Sequence, residues 1–128
     1  MARIVMIDDD PDFLEIQKGV LESQGHTVVT VDNSKEAVEK TRETNPDLVI
    51  VDLMMEEEDT GFSLCYQFKK GATGKKLPVI MVTGVASERG VPFNLDGPET
   101  GGWIKADIYL NKPIRPEELI SAVDKLSK

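Results

Sequence analysis

The pattern that most constrains this chain is a series of short apolar runs, several of which end in reactive polar residues. Four such runs are Ile4–Ile7 before Asp8-Asp9, Leu48–Val51 before Asp52, Val79–Val82 before Thr83, and Ile108–Leu110 before Asn111-Lys112. Runs that are apolar throughout are typical of strands buried on both faces, as in a parallel sheet covered by helices. Helical patterns lie between most of the runs, so the sequence predicts an α/β fold.

Helix and turn signals divide the rest of the chain. Asp10-Pro11 resembles an N-cap followed by a first-turn proline. Phe13, Ile16 and Val20 then recur at helical spacing, as do Leu14 and Leu21, until Gly25. Further helices are predicted from Asn33 (with Glu36 as a capping box) to about Thr44, from Gly61 to about Lys70, and from Pro116 onward. Val28–Val31, rich in β-branched residues, is predicted to be the second strand.

One stretch interrupts this alternation. Seven glycines and prolines lie between Thr83 and Ile108, and both residue types disfavour helix interiors. We therefore expect residues 88–103 to form an irregular loop, with an irregular or shortened fourth helix.

Length, charge and cysteine content narrow the class of protein. The 128 residues are expected to form one domain over 1–128. A net charge of -8 argues against direct contact with nucleic acid or an anionic membrane. There is no apolar run near the roughly 20 residues that cross a bilayer and no leader-like N-terminus. The single Cys65 excludes an internal disulfide, so a reduced, cytoplasmic location is expected.

The polar strand ends predict a site for phosphoryl transfer. Ligands of open α/β sheets bind beyond the carboxyl ends of the strands, so Asp8, Asp9, Asp52, Thr83 and Lys112 are expected to converge. Three carboxylates would repel one another and raise the pKa of at least one of them. Mg²⁺ and the Lys112 ammonium would balance that charge, and Mg²⁺ favours carboxylate and phosphate oxygens. A carboxylate can then act as the nucleophile, while Thr83 and Lys112 contact phosphoryl oxygens.

These motifs resemble the receiver domain of two-component response regulators over essentially the whole chain. The resemblance rests on IDDDPDFL, DLVIVDLMM, VIMVTG and ADIYLNKPIRPEEL, which surround Asp8-Asp9, Asp52, Thr83 and Lys112 respectively. It implies a doubly wound, five-stranded parallel sheet of order 2-1-3-4-5, the flavodoxin-like receiver fold. It also implies that Asp52 accepts a phosphoryl group from a sensor histidine kinase or a histidine phosphotransfer protein. Such a chain promotes its own phosphorylation and dephosphorylation without being a conventional enzyme.

The resemblance also assigns roles to single residues. Asp9 would be the main Mg²⁺ ligand beside Asp52, with Asp8 acting mostly through water and Met54 offering its backbone carbonyl. Thr83 and Tyr109 would form the switch, in which the tyrosine rotamer reports phosphorylation. Tyr109 is alternatively a half-buried strand tyrosine with no such role.

Two segments depart from the family pattern. Glu56 stands where a proline is usual, and Glu57–Asp59 extend an acidic loop that either tunes cation affinity or is simply solvated. The interval from Thr83 to Lys112 is longer than is typical, so the family's usual signalling surface is not carried over to this chain.

Two other functions are alternatives to a phosphorylated receiver. An aspartate-based small phosphatase of the haloacid dehalogenase type would use Asp8 and Asp10. It would also need an acidic motif after Lys112, where only Glu117 and Glu118 remain, and it leaves Asp52 unexplained. A pseudo-receiver would act only as a protein-interaction module. In either receiver reading, output is expected through contact with a protein target that the sequence does not identify.

The phosphorylated form is predicted to be comparatively long-lived. In receivers the residues two past the acceptor and two past the threonine flank the path of the attacking water, and here they are Met54 and Val85. Neither side chain can orient a water by hydrogen bonding, so Met54→Asn or Met54→Glu should speed loss of the phosphoryl group roughly 10-fold. Phosphate release from purified phosphoprotein measures this, and unchanged or slower release in both variants would contradict it.

Overall fold

The fold is that of a computed structural model that describes residues 2–33, 35–52, 60–71, 74, 77–83, 107–111 and 114–127. Over these residues five strands alternate with four helices along most of the chain. The strands are β1 (Arg3–Ile7), β2 (Thr27–Val31), β3 (Leu48–Asp52), β4 (Val79–Thr83) and β5 (Ile108–Asn111). The helices are α1 (Pro11–Glu22), α2 (Ala37–Thr44), α3 (Thr60–Lys69) and the C-terminal α4 (Pro116–Ser127).

All five strands are parallel and lie in the order β2-β1-β3-β4-β5. This confirms the predicted doubly wound α/β fold and its strand order. Ile7 pairs with Val51 where β1 adjoins β3, so the two strands end at nearly the same height. The strand order reverses at this junction, and in folds of this kind ligands bind beyond the carboxyl ends of the strands at such a point.

Two of the four described helices pack on each face of the sheet. Side chains of one parity, such as Val5 and Val49, pack with Ala37 of α2 and Leu64 and Phe68 of α3. Those of the other parity pack with α1 and α4 through a set that includes Ile4, Ile50, Leu14, Leu119 and Val123. Because both faces are buried, the central strands are continuous apolar runs and show no alternation with polar residues.

The start of α1 follows the predicted signals. The Asp10 side chain accepts hydrogen bonds from the backbone N–H groups of Asp12 (3.0 Å) and Phe13 (3.3 Å). Pro11 occupies the first turn, where its missing N–H leaves no bond unmade. After the helix, Gly25 takes a positive φ of 92° that favours glycine and turns the chain toward β2.

The start of α2 differs from its prediction. The Asn33 side chain does accept the backbone N–H of Glu36 at 3.0 Å, but the helix begins only at Ala37. Asn33 therefore organises the turn that precedes the helix and is not its cap. The predicted end is confirmed, because Asn45 adopts the left-handed conformation with φ of 52° immediately before Pro46.

Several predictions concern residues outside the described ranges. These are the irregular segment 88–103, the acidic loop 56–59, Met54, Val85 and Lys112. Among the described helices, none is both long and apolar enough to cross a membrane.

The buried face of α1 includes Leu14 and Leu21, as their helical spacing predicted, but differs from the apolar pattern at two other positions. Ile16 is 62% exposed, whereas Gln17 is only 7% exposed and lies between Leu14 and Leu21 on the buried face. Within the described part of the chain, the Gln17 side-chain oxygen accepts no hydrogen bond. A buried polar atom without a partner destabilises the folded state.

Gln17→Met is therefore expected to raise the free energy of unfolding by about 1 kcal/mol, because methionine fills the same volume without a buried polar oxygen. Urea denaturation followed by circular dichroism measures the change. The matched control, Ile16→Gln, alters an exposed neighbour and should shift the value by no more than about 0.5 kcal/mol. A less stable Gln17→Met protein would show that the Gln17 amide contributes to packing or bonding.

Candidate functional site

Three carboxylates meet at the carboxyl end of the sheet. Asp8 and Asp9 follow β1 directly, and Asp52 is the last residue of β3. One oxygen from each of the three carboxylates lies within 4.8 Å of the other two. The structure thus brings together the acidic residues whose convergence the strand ends predicted.

The three carboxylates differ in how they are held. Asp8 is 1% exposed and Asp52 is 5% exposed, whereas Asp9 is exposed to solvent. The Asp8 N–H donates to the Val31 carbonyl at 3.1 Å, and one Asp8 carboxylate oxygen accepts the N–H of Asp10 at 2.9 Å. Two buried carboxylates therefore lie beside a third that is exposed to solvent.

Repulsion among these carboxylates favours a positive charge at the cluster. Oxygens of Asp8 and Asp52 no more than 4.8 Å apart would repel by at least roughly 3 kcal/mol if both groups were ionised at an effective dielectric constant near 20. The donor set consists of hard carboxylate oxygens with one solvent-facing member, which is the set that Mg²⁺ prefers. The residues therefore fit a magnesium ion.

The other predicted residues follow the neighbouring strands. Asp52 pairs with Val82, and Thr83 at the end of β4 pairs with Asn111 at the end of β5. The chain thus leaves β5 for Lys112 at the same edge of the sheet that holds the carboxylates. The contacts of Lys112 and Met54 lie outside the described residues, and the roles of Thr83, Lys112 and Met54 stay predictions.

Tyr109, the predicted switch aromatic, lies in the middle of β5. It pairs with Met81 and is partly buried against the core on the α2 and α3 face. This position is compatible both with a switch and with an ordinary packing role, so the switch stays a prediction.

Asp10 is not part of the carboxylate cluster and has a different role. Its carboxylate caps α1 and is not among the residues whose oxygens converge with Asp52. The Asp8 and Asp10 pair that a phosphatase of the haloacid dehalogenase type would use is therefore not the pair that this fold brings together.

Asp107 was not singled out by any sequence pattern, yet it joins three elements. One of its carboxylate oxygens accepts the Val79 N–H at 2.8 Å and lies 2.7 Å from the Lys69 ammonium, while its own N–H donates to the Val79 carbonyl at 2.9 Å. The only local signal is an acidic residue directly before a strand that follows a long connection.

Comparison with known proteins agrees with this geometry. The family model described as the response regulator receiver domain matches residues 4–124. Protein PilH of Pseudomonas aeruginosa is 32% identical over 97% of this chain and 96% of its own length. The DNA-binding response regulator MtrA of Mycolicibacterium smegmatis is 31% identical over 94% of this chain, which spans only 48% of that protein.

A solved structure extends the similarity to three dimensions. A response regulator receiver domain protein from Clostridium thermocellum superposes with a TM-score of 0.79 at 28% identity, covering 99% of this chain and 94% of that one. The family match, the PilH similarity and the strand order lead to one conclusion. The chain belongs to the response regulator receiver domain family of two-component signalling proteins.

Proposed function

We propose that Asp52 accepts a phosphoryl group from the phosphohistidine of a sensor histidine kinase or a histidine phosphotransfer protein. The observation that carries this proposal is the convergence of the Asp8, Asp9 and Asp52 carboxylates within 4.8 Å. A buried carboxylate at a strand end can act as the nucleophile, and two further carboxylates beside it can bind the cation that neutralises the phosphoryl charge. The membership of the chain in the receiver domain family supports the same reaction.

The transfer exchanges one bond for another. A carboxylate oxygen of Asp52 forms a bond to phosphorus as the donor's nitrogen–phosphorus bond breaks, and the bonding electron pair leaves with the imidazole nitrogen. The Lys112 ammonium and the Thr83 hydroxyl would each bind a phosphoryl oxygen. Asp9, Asp52 and the Met54 backbone carbonyl would hold magnesium, with Asp8 acting mostly through water. The ion would supply the charge neutralisation on which phosphoryl transfer depends.

The signal would be read through protein contact. The net charge of -8 gives this receiver no electrostatic affinity for nucleic acid, so the phosphorylated surface is expected to bind a protein target. We also infer a cytoplasmic location, which the single cysteine favours. A pseudo-receiver would share the fold and the protein target but would not carry the phosphoryl group, and the following experiment separates the two.

Asp52 is predicted to be the sole phosphoryl acceptor. Incubation with Mg²⁺ and acetyl phosphate should add one phosphoryl mass to the wild-type protein and none to Asp52→Asn, because the amide lacks a nucleophilic carboxylate oxygen. Intact-protein mass spectrometry measures the label. Equal labelling of Asp52→Asn would refute the assignment, and an unlabelled wild type would favour the pseudo-receiver.

Asp10→Asn is the matched control for this experiment. Asparagine caps helices about as well as aspartate, so α1 should be preserved. The variant should label at the wild-type rate, because Asp10 lies outside the carboxylate cluster. A loss of labelling in Asp10→Asn would instead support the phosphatase arrangement.

The proposed Mg²⁺ site leads to a prediction for Asp9. Asp9→Asn removes a charged ligand and should weaken Mg²⁺ binding at least roughly 10-fold and block phosphorylation, while the fold stays intact. Without Mg²⁺ the variant should be as stable as the wild type or more so, since carboxylate repulsion is relieved. Titration calorimetry and chemical denaturation measure the two effects.

Asp32→Asn serves as the control for charge alone. Asp32 is exposed just after β2, outside the carboxylate cluster, so its substitution removes the same charge without removing a ligand. Wild-type Mg²⁺ affinity in Asp9→Asn, or an equal loss in Asp32→Asn, would show that Asp9 is not a metal ligand.

A further inference from the structure

The position of β5 poses a problem of register. β5 has four residues and, among the described strands, pairs only with β4; the connection that precedes it runs from residue 84 to 106, and its length alone does not determine the register. Residues Ile108 and Leu110 pack on one face of the sheet and Tyr109 on the other. A shift by one residue would exchange these faces and is therefore strongly disfavoured.

A shift by two residues is not excluded in this way. It keeps every side chain on its face but moves the strand by about 7 Å along its axis. In the present register the last residue of β5, Asn111, pairs with Thr83. After such a shift Asn111 would no longer pair with Thr83, and Lys112, which follows it directly, would be displaced along with it. Side-chain alternation alone therefore cannot place the lysine relative to Asp52.

The Asp107 contacts distinguish the two registers. In a regular parallel ladder, the N–H and C=O of one residue bond to two different residues of the neighbouring strand. Here both groups of Val79 bond to Asp107, which uses its carboxylate for the N–H and its backbone N–H for the carbonyl. In a register shifted by two residues, Lys105 or Tyr109 would stand in this place, and neither offers a carboxylate.

We propose that Asp107 is a positioning residue that fixes the register of β5 and so sets the height at which Lys112 enters the phosphorylation site. The inference rests on the proposed function, because it assigns Asp107 a role in that reaction. Asp107 acts through the backbone of β5, from the opposite end of the strand, and touches none of the reacting groups.

The Val79 hydrogen bond is expected to matter more than the Lys69 ion pair. The side chains of Lys69 and Asp107 are 30% and 32% exposed, and ion pairs of such exposure contribute little. The Val79 N–H lies at the start of a buried strand, where an unmade hydrogen bond is costly. Asparagine at position 107 retains an acceptor oxygen for this N–H, whereas alanine does not.

Three variants test the proposal in the full chain: Asp107→Ala, Asp107→Asn and Lys69→Met. Asp107→Ala should lower the rate of phosphorylation by acetyl phosphate about 10-fold at saturating Mg²⁺. Asp107→Asn and Lys69→Met should stay within about threefold of wild type. Mg²⁺ affinity should be unchanged in all three, because Asp8 and Asp9 follow β1 and Asp52 ends β3, away from Asp107. General destabilisation would instead lower both the rate and the Mg²⁺ affinity.

Nuclear magnetic resonance reads the register without any phosphorylation. Contacts between the Ile80 and Ile108 backbones should persist in wild type and Asp107→Asn and weaken in Asp107→Ala. A wild-type rate and an intact Ile80–Ile108 contact in Asp107→Ala would overturn the proposal. If wild type itself is not labelled, the proposed function fails while the register is still decided.

Hydrogen exchange in the wild-type protein keeps the test decisive even if Asp107→Ala does not fold. The Val79 amide should exchange as slowly as the amides in the middle of β4, since its N–H is bonded to the Asp107 carboxylate. Fast exchange at Val79 would overturn the proposal.

Discussion

The rest of this structure depends on one constraint, which is the repulsion among the carboxylates of Asp8, Asp9 and Asp52 at the carboxyl end of the sheet. Asp8 and Asp52 are almost fully buried and their oxygens lie within 4.8 Å, an arrangement that no isolated loop would keep. The pairing of β1 with β3 holds them in place, and burial of apolar side chains on both faces stabilises that pairing. A bound cation would lower the cost of the cluster, and under the proposed function it would couple metal binding to phosphoryl transfer at Asp52.

The surrounding elements position this cluster with separate devices. Asp10 caps α1 and lends its own N–H to Asp8, so the start of one helix also orients a site carboxylate. On the other side of the sheet, Asp107 holds the beginning of β5 against Val79, and the end of that strand leads to Lys112. Hydrogen bonds thus hold Asp8 at one end of the sheet and the start of β5 at the other, and packing on both faces stabilises the strands between them.

Much of this arrangement could be predicted from the sequence, because strand runs and strand-end residues are local patterns. The continuous apolar runs predicted the parallel sheet, and the residues after them predicted the acidic cluster. The strand order came from the family resemblance, since periodicity does not say which strands are neighbours. Local patterns also failed in identifiable ways: Gln17 rather than Ile16 is buried, and Asp107 bonds to a residue 28 positions away, a contact that no local pattern reveals.

The central claim is that one crevice holds a divalent cation against Asp52 for phosphoryl transfer. Crystals grown with Mn²⁺ and beryllofluoride, a stable mimic of the phosphoryl group, test it directly by anomalous diffraction. The account predicts one Mn²⁺ peak bound by carboxylate oxygens of the Asp8, Asp9 and Asp52 cluster, with beryllium bonded to an Asp52 oxygen. A peak at the acidic loop 56–59 with none at this cluster, or beryllofluoride away from Asp52, would contradict it.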